Sequence, residues 1–380
     1  MGILVAFASV ILIVMILLDG FEAIMLPRRV ARKIRFTRIY YRSSWIYFLA
    51  LVKRLKNPKT RSMLLSAYGP MSILILLGIW ALGLILAFAL LHLSIGSPLN
   101  PTGETMDFLT YLYLSGVTFF TLGFGDFTPS SMIGRMLAVA EAGLGFGFLA
   151  VIISYVPVLY QAFSRREATI SLLDARAGSP PTAAELLSRL GSHDLARLDG
   201  FLIEWERWSA ELLESSLSFP ILVYYRSQHD NQSWLATLTL ILDVSALAMT
   251  EIRLESTYQA RLTFAMARHT LDDIAQLFAA KPTDLASDRL NPDHLHQLRT
   301  RLRAEGLSLQ DGDTQGALLA DLRGLYEPFL HALAEFCYLT VPPILQDGPV
   351  VDNWQTSAWM RRAQGLDRLT TGLIHDDHDD

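Results

Sequence analysis

The sequence predicts an all-α membrane protein, with a membrane region over about residues 1–164 and a soluble helical domain after it. Three observations lead to this fold class. Of 380 residues, 51% are hydrophobic and 18% are charged. Nearly all uninterrupted apolar runs lie before residue 164. Beyond it, apolar residues recur at helical spacing and strand-like alternation is scarce. Each part is large enough to hold its own core.

Three apolar segments are long enough to cross a bilayer, which takes roughly 20 residues per helix. The first extends through Leu26 only if Asp19 and Glu22 lie at the interface. No basic residue precedes it, so the pattern favours a retained anchor over a signal peptide. The three segments are Ile3–Leu18, Met71–Ile95 and Met132–Phe163.

Basic residues set the expected orientation, because Lys and Arg near span ends stay on the cytoplasmic side. Residues 28–61 contain twelve Lys or Arg and no acidic residue, whereas residues 96–134 contain Glu104, Asp107 and Asp126 and no basic residue. Arg165 and Arg166 follow the last span. This pattern places residues 28–61 and the soluble domain in the cytoplasm, with the N-terminus outside.

A short apolar segment, residues 107–120, lies between the second and third spans and is followed by T-L-G-F-G-D, residues 121–126. The segment is too short to cross and return, which predicts a re-entrant half-helix. Irregular backbone at membrane depth must line a water-filled cavity or be buried in protein. If Gly123 and Gly125 take positive φ, successive carbonyls can point to one side and replace the hydration shell of a cation. Leu122 and Phe124 would then pack back against the half-helix.

This segment resembles the selectivity filter of the potassium channel superfamily, whose usual form is T-V-G-Y-G-D. The resemblance covers roughly residues 71–163 and implies a homotetramer, since one filter per chain cannot enclose an ion. It implies K⁺ coordination by the backbone carbonyls of Thr121, Leu122, Gly123 and Phe124 and by the Thr121 hydroxyl. Gly125 completes the filter, and Asp126 is the outer acidic residue. Leu122 and Phe124 replace the usual Val and Tyr. The alternative is a tight loop between helices.

The third span carries two candidate gating positions. Gly145 lies twenty residues after Gly125 and is either a bending hinge or a face for close helix packing. Pro157 removes a helical hydrogen bond and predicts a kink near the inner end. Glu141, in the same span, is either a functional intramembrane carboxylate or a member of a network behind the filter.

The basic segment, residues 28–66, has two interpretations. Arginine recurs every third residue at Arg29, Arg32, Arg35 and Arg38, a spacing typical of a voltage-sensing helix. Only one span precedes it, however, so we favour an amphipathic helix on the inner leaflet with its arginines near anionic lipids. Four aromatic residues would lie at the headgroup level: Tyr40, Tyr41, Trp45 and Tyr47.

The soluble domain is predicted to be a helical bundle that opens with a capping box at Thr182 and Glu185. Further helices are predicted over residues 196–214, 233–253, 257–279, 292–304, 315–338 and 354–369. The polar run at residues 224–234 is either a ligand site or a loop that caps the next helix through Ser233. His294 and His296 make a weak metal motif, and the tail at residues 375–380 is more typical of an acidic disordered end.

The resulting organisation is an N-terminal transmembrane anchor (1–27), the basic segment (28–66), a pore domain (67–164), a linker (165–182), a cytoplasmic helical domain (183–370) and an acidic tail (371–380). The predicted function is a potassium-selective channel in the cell membrane, gated at the inner helix. The alternatives are a weakly selective cation channel and a membrane-anchored signalling module. Neither a catalytic motif nor a glycine-rich nucleotide turn is present, and neither an enzyme nor a cofactor is expected. The net charge of −5 gives no reason to expect nucleic acid, and the single Cys337 fits a reducing interior.

Overall fold

The computed structural model describes residues 2–24, 36–100, 107–191, 195–227, 231–283, 288–310 and 312–346. The chain forms two compact units, Met1–Gln161 and Ala162–Asp380. Arg29, Arg32 and Arg35, the predicted helix at residues 354–369 and the acidic tail lie outside the described residues.

The first unit consists of helices and one short strand pair. Its helices are α1 (Gly2–Ile24), α2 (Phe36–Lys53), α3 (Pro58–Ile95), α4 (Phe108–Phe119) and α5 (Met132–Ser171). Strands β1 (Leu99–Asn100) and β2 (Thr128–Pro129) pair antiparallel. Among the described residues, three helical segments have the length and apolar composition to cross a membrane, namely α1, α3 and the segment that begins with α5. The chain is therefore a membrane protein, as predicted.

Helix α3 begins thirteen residues before the predicted apolar span. The Asn57 side chain accepts a hydrogen bond from the Lys59 amide at 3.0 Å, and Pro58 occupies the first turn, where its missing N–H costs nothing. At the other end Gly96 takes a left-handed conformation with φ of 64°, which ends the helix. A prediction based on hydropathy does not detect these first turns because they are polar.

Helix α1 packs along α3. A Cβ atom on Gly83 would lie 2.7 Å from the Ile16 side chain, so the small residue permits close approach. Asp19, which was expected at the interface, is 6% exposed. Its carboxylate accepts hydrogen bonds from the Trp80 indole at 3.1 Å and from the Thr37 hydroxyl at 2.6 Å. Asp19 therefore joins α1 to both α3 and the start of α2.

Helix α2 packs against the N-terminal half of α3. The Tyr40 hydroxyl donates to the Ser72 carbonyl at 2.9 Å, and the Ser44 and Tyr68 hydroxyls are 2.9 Å apart. Trp45 stacks edge-on against Tyr68 and is 3% exposed, so its indole fills the space between two helices. Its position at the headgroup level stays a prediction. Tyr47, by contrast, is exposed.

The second unit is helical in all its described elements except one isolated bridge. After α5 come α6 (Asp174–Ala177), α7 (Ala183–Leu190), α8 (Leu198–Ser218), α9 (Trp234–Thr250), α10 (Tyr258–Leu277), α11 (Pro292–Ala304), α12 (Asp313–Gly324) and α13 (Glu327–Cys337). Helix α9 is buried on nearly every side and forms the centre of the core.

The predicted helix over residues 315–338 is two helices, α12 and α13. The break falls where Gly324 ends α12 and Pro328 occupies the first turn of α13, because proline cannot donate to a preceding helical turn. The caps of α7 and α9 are confirmed: Thr182 accepts from the Glu185 amide, and Ser233 accepts from the Ala236 amide. The Glu185 side chain pairs with Arg189 and Arg301 instead of completing the capping box.

Buried ion pairs join four segments of this second unit. Arg289 contacts Asp243 at 2.7 Å and Glu327 at 2.9 Å, and Glu327 also contacts Arg323 at 2.9 Å. The Tyr326 hydroxyl donates to Asp243 at 2.6 Å. Since each charge has a partner, the network fixes the relative positions of α9, α12 and α13.

Candidate functional site

The half-helix predicted at residues 107–120 is present as α4. The Asp107 carboxylate caps it by accepting from the Thr110 amide at 2.9 Å and from the Thr110 hydroxyl at 2.8 Å. These hydrogen bonds lower the pKa of Asp107. The Tyr111 hydroxyl donates to the Ser97 carbonyl at 2.8 Å and ties the helix to the segment after α3.

The end of α4 determines how the chain enters T-L-G-F-G-D. The Leu122 amide donates to the Val117 carbonyl at 2.9 Å, and the Thr121 amide donates to the Thr118 carbonyl at 3.0 Å. This pair of bonds is a Schellman motif, which requires a left-handed residue at the position of Thr121. Thr121 has φ of 55°, a conformation that is uncommon for a β-branched residue. The cap thus turns the chain out of the helix.

The backbone after the cap alternates. Positive φ occurs at Thr121 (55°), Gly123 (61°) and Gly125 (79°), and neither Leu122 nor Phe124 shares it. The expectation for the two glycines is confirmed, and Thr121 extends the same alternation by one step. A chain that alternates in this way departs from an ordinary strand, in which successive carbonyls point to opposite sides.

Asp126 is held at the outer end of the segment. The Tyr113 hydroxyl donates to its carboxylate at 2.8 Å, and the Phe127 amide donates at 3.0 Å. The Tyr113 bond is the larger cause of a lowered pKa at Asp126. The role of Tyr113 was not predicted from the sequence. Tyr113 lies on the exposed face of α4, whereas Tyr111 and Leu114 lie on its buried face. Beyond Asp126, β2 pairs with β1 and the Ser130 amide donates to the Pro98 carbonyl at 2.9 Å.

Gly145 of α5 lies against the end of α4. A Cβ atom there would be 1.9 Å from the Phe119 carbonyl oxygen, a distance that real Cβ atoms do not reach. At Gly143 and Gly147 a Cβ atom would meet nothing within 4 Å in the subunit. Of the two interpretations of Gly145, close packing therefore has direct geometric support. Pro157 lies inside α5, which continues past it to Ser171.

One expectation about the side chains of this segment is wrong. Leu122 and Phe124 were expected to pack back against α4, but they are 56% and 66% exposed. Residues 120–126 are all exposed. The buried apolar contacts of α4 are made by other residues, such as Phe119 and Leu114.

Three buried polar side chains meet behind α4. Ser115 of α4, Glu141 of α5 and His92 of α3 have essentially no exposed surface. The Ser115 hydroxyl lies 2.7 Å from the Ile85 carbonyl and in hydrogen-bond contact with Glu141 Oε1. The other oxygen, Glu141 Oε2, is 3.9 Å from His92 Nε2. The predicted network around Glu141 is therefore present, with partners that the sequence pattern did not identify.

The remaining candidates from the sequence, a metal motif and a polar ligand site, do not form a site among the described residues. No group of three or more His, Cys, Asp or Glu side chains suited to a metal forms among the described residues, so His294 and His296 gain no partners for a metal there. In the segment 224–234, Ser233 caps α9 and the Trp234 indole donates to the Val223 carbonyl at 3.2 Å, which supports the capping interpretation. Cys337 is buried.

Comparison with known proteins places the similarity in the pore segment. Residues 72–161 match the family model described as "Ion channel". Protein LctB of Geobacillus stearothermophilus is 44% identical over 64 residues, 17% of this chain and 47% of that protein. Probable potassium channel protein 2 of Methanocaldococcus jannaschii is 34% identical over 83 residues, 22% of each chain. Protein LctB of Bacillus caldotenax is 35% identical over 86 residues, 20% of this chain and 63% of that protein.

These matches have limited extent. The chain covers less than two thirds of each of the three relatives, and about a fifth of the Methanocaldococcus protein. No solved structure matches the chain. The similarity therefore concerns the segment that contains α3, α4, T-L-G-F-G-D and α5.

Proposed function

We propose that the chain is the subunit of a potassium-selective channel, because residues 72–161 match an ion channel family model and are similar to a probable potassium channel protein. The observation that carries this proposal is the alternating backbone at Thr121, Gly123 and Gly125. Backbone carbonyls that point to one side replace the water around a dehydrated cation. In the proposed channel the carbonyls of residues 121–124 and the Thr121 hydroxyl coordinate K⁺, which is the cargo and not a resident cofactor.

The proposed assembly is a homotetramer. One chain supplies one column of carbonyls, and closed rotational symmetry is the usual way to build a ring from identical chains. The exposed side chains of Leu122 and Phe124 support this assembly, because a neighbouring subunit would remove them from water. The strongly exposed apolar residues of α5, which include Ile133, Met136 and Val139, support it as well.

The proposed orientation places the filter mouth outside and the second unit in the cytoplasm of the cell. It rests on the basic residues at 28–61 and on the acidic outer segment that contains Asp126. In this arrangement α2, with its basic residues Arg38, Arg42 and Lys53, lies near the headgroups of anionic lipids on the inner leaflet. The exposed face of α2, with Ile39 and Ile46, suits that position.

The proposed gate lies along α5, and the second unit controls it. Helix α5 runs from Met132 to Ser171 and contains both proposed gating positions, Gly145 and Pro157. Arg166 near its end is anchored there, since its guanidinium donates to the Leu222 and Tyr225 carbonyls at 2.8 Å each. In this proposal the second unit is the part of the chain that responds to the gating stimulus.

A K⁺ flux assay in liposomes tests the proposal. Purified full-length protein should collapse a K⁺ gradient, and Gly123→Ala should abolish the flux because an L-residue at φ of 61° is strained. Gly143→Ala is the matched control and should retain flux. Equal flux of K⁺ and Na⁺ by the wild type would favour a weakly selective cation channel, and no flux of either ion would reject a channel.

A further inference from the structure

The buried cluster of Ser115, Glu141 and His92 carries a further inference. These residues come from three different helices: α4, which supports the filter, and the flanking α5 and α3. None has appreciable exposed surface, and all lie in segments proposed to be within the bilayer. Polar groups at that depth must find partners inside the protein.

The number of hydrogens available for hydrogen bonds in the cluster limits the protonation state of Glu141. The Ser115 hydroxyl has one hydrogen, and it lies in hydrogen-bond contact with two oxygens, the Ile85 carbonyl and Glu141 Oε1. The carbonyl can only accept, so it takes the serine hydrogen at 2.7 Å. The contact between the Ser115 hydroxyl oxygen and Glu141 Oε1 is then a hydrogen bond only if the Glu141 carboxyl group is protonated and donates. An ionised carboxylate would place two acceptor oxygens against each other.

The surroundings of Glu141 also disfavour the charged form. The basic side chain beside Glu141 is His92, whose Nε2 is 3.9 Å from Glu141 Oε2, beyond hydrogen-bond distance. Neither ring nitrogen of His92, nor Glu141 Oε2, has a hydrogen-bond partner among the residues that the structure describes. A transfer of the proton to the imidazole would create two poorly solvated charges on side chains that have no exposed surface. The neutral pair avoids that cost.

We propose that Glu141 is held as a protonated acid that donates to Ser115, and that this hydrogen bond positions the half-helix under the filter. Through Ser115 the acid connects α5 to α4, and the same serine connects α4 to the Ile85 carbonyl of α3. Ser115 lies six residues before Thr121 on a helix whose end directs the chain into the filter. Glu141 is thus a positioning residue and does not touch the ion. Its effect on selectivity rests on the proposed channel function.

Infrared spectroscopy tests the protonation state independently of conduction. Full-length protein in lipid vesicles at neutral pH should show the carbonyl stretch of a protonated carboxyl group, and Glu141→Gln should remove it. Glu214→Gln, which changes an exposed glutamate on α8, should leave the band unchanged. The proposal would be overturned by a wild-type spectrum without the carboxylic acid band, together with a Glu141→Gln spectrum that has lost carboxylate absorption. That result would mean that Glu141 is ionised.

Selectivity measurements test the positioning role. Glu141→Gln supplies an amide N–H to Ser115 and should keep the K⁺/Na⁺ permeability ratio within about twofold, whereas Glu141→Leu and Ser115→Ala should each lower it on the order of tenfold, the size of one lost buried hydrogen bond. The double variant Ser115→Ala with Glu141→Leu should be less impaired than the sum of the single variants, since it removes both partners.

The outcomes separate the possible failures. The oligomeric state of each variant is checked by size-exclusion chromatography, so that loss of assembly is not taken for loss of selectivity. A Glu141→Gln variant as impaired as Glu141→Leu would show that the charge is needed, and it would overturn the proposal. A fully selective Glu141→Leu would do the same. If the wild type shows no selectivity, the channel function fails, while the infrared result still decides whether Glu141 is protonated.

Discussion

The Tyr113 hydroxyl donates a hydrogen bond to the Asp126 carboxylate at 2.8 Å, and it joins the half-helix to the outer end of the segment T-L-G-F-G-D. Phe124, at the position where a tyrosine is usual in the superfamily that the segment resembles, has no hydroxyl to make a similar bond. The Tyr113 bond therefore supplies a polar connection between α4 and the segment that follows it.

We predict that Tyr113→Phe makes conduction more sensitive to external acid. The Tyr113 hydrogen bond is the largest cause of the lowered pKa of Asp126. With its pKa lowered, Asp126 keeps its charge until the external pH falls through that lowered pKa. Without the Tyr113 bond the pKa of Asp126 should rise, so the charge should be lost at a higher pH. The variant should therefore lose current at a higher external pH than the wild type. The measurement is the current as a function of external pH.

The control for this prediction is Tyr258→Phe, which removes an exposed hydroxyl from α10 in the second unit. It should leave the acid sensitivity unchanged. Identical pH profiles for wild type and Tyr113→Phe would show that the bond to Asp126 has no role in the outer mouth.

Gly145→Ala is predicted to destabilise the pore, whereas Gly143→Ala is not. The new Cβ at position 145 would meet the Phe119 carbonyl oxygen at 1.9 Å, so α5 must move away from the end of α4. Overpacking of this kind typically costs about 1–3 kcal/mol. The fraction of assembled protein after mild heating in detergent measures the effect. Equal behaviour of the two variants would contradict the packing role of Gly145.

Arg289→Met should destabilise the second unit strongly. The substitution leaves Asp243 and Glu327 buried without the arginine that contacts both, and breaking a buried ion pair from one side costs about 3–5 kcal/mol. Denaturant unfolding of the purified full-length protein, followed by tryptophan fluorescence, measures the change. Arg268→Met is the control, because the Arg268 side chain is 41% exposed and its pair with Asp272 is expected to contribute about 1 kcal/mol or less. Similar shifts for both variants would refute the role of the network.

Cys337 should resist alkylation in the folded protein. Burial raises the pKa of its thiol to about 12, so the reactive thiolate is scarce at neutral pH, and the side chain is 4% exposed. Mass spectrometry after iodoacetamide treatment should show no labelling in native conditions and complete labelling in denaturant. Rapid labelling of native protein would mean that α13 opens readily.

The sequence predicted the features that depend on composition and local pattern. The three spans, the half-helix and the two glycines with positive φ follow from hydropathy and from the special conformations of glycine. The left-handed Thr121 did not, because a Schellman cap usually has glycine at that position. The partners of Glu141 and Asp126 were also missed, since Ser115 and Tyr113 read as ordinary polar residues of an apolar helix.

Other differences arise from tertiary packing and from assembly. Trp45 has the residue type of a membrane interface but is buried because α2 packs on α3. Asp19 is buried because Thr37 and Trp80 both donate to it. Leu122 and Phe124 are exposed in the single chain, and a neighbouring chain in the proposed tetramer would cover them.

The reversal potential of purified wild-type protein in a planar bilayer, with K⁺ on one side and Na⁺ on the other, tests the central claim most directly. The proposed ring of carbonyls predicts a reversal potential displaced strongly toward the K⁺ equilibrium potential, and Gly123→Ala should remove the current. A reversal potential near zero would contradict selectivity for K⁺. A bilayer without any current would contradict the channel itself.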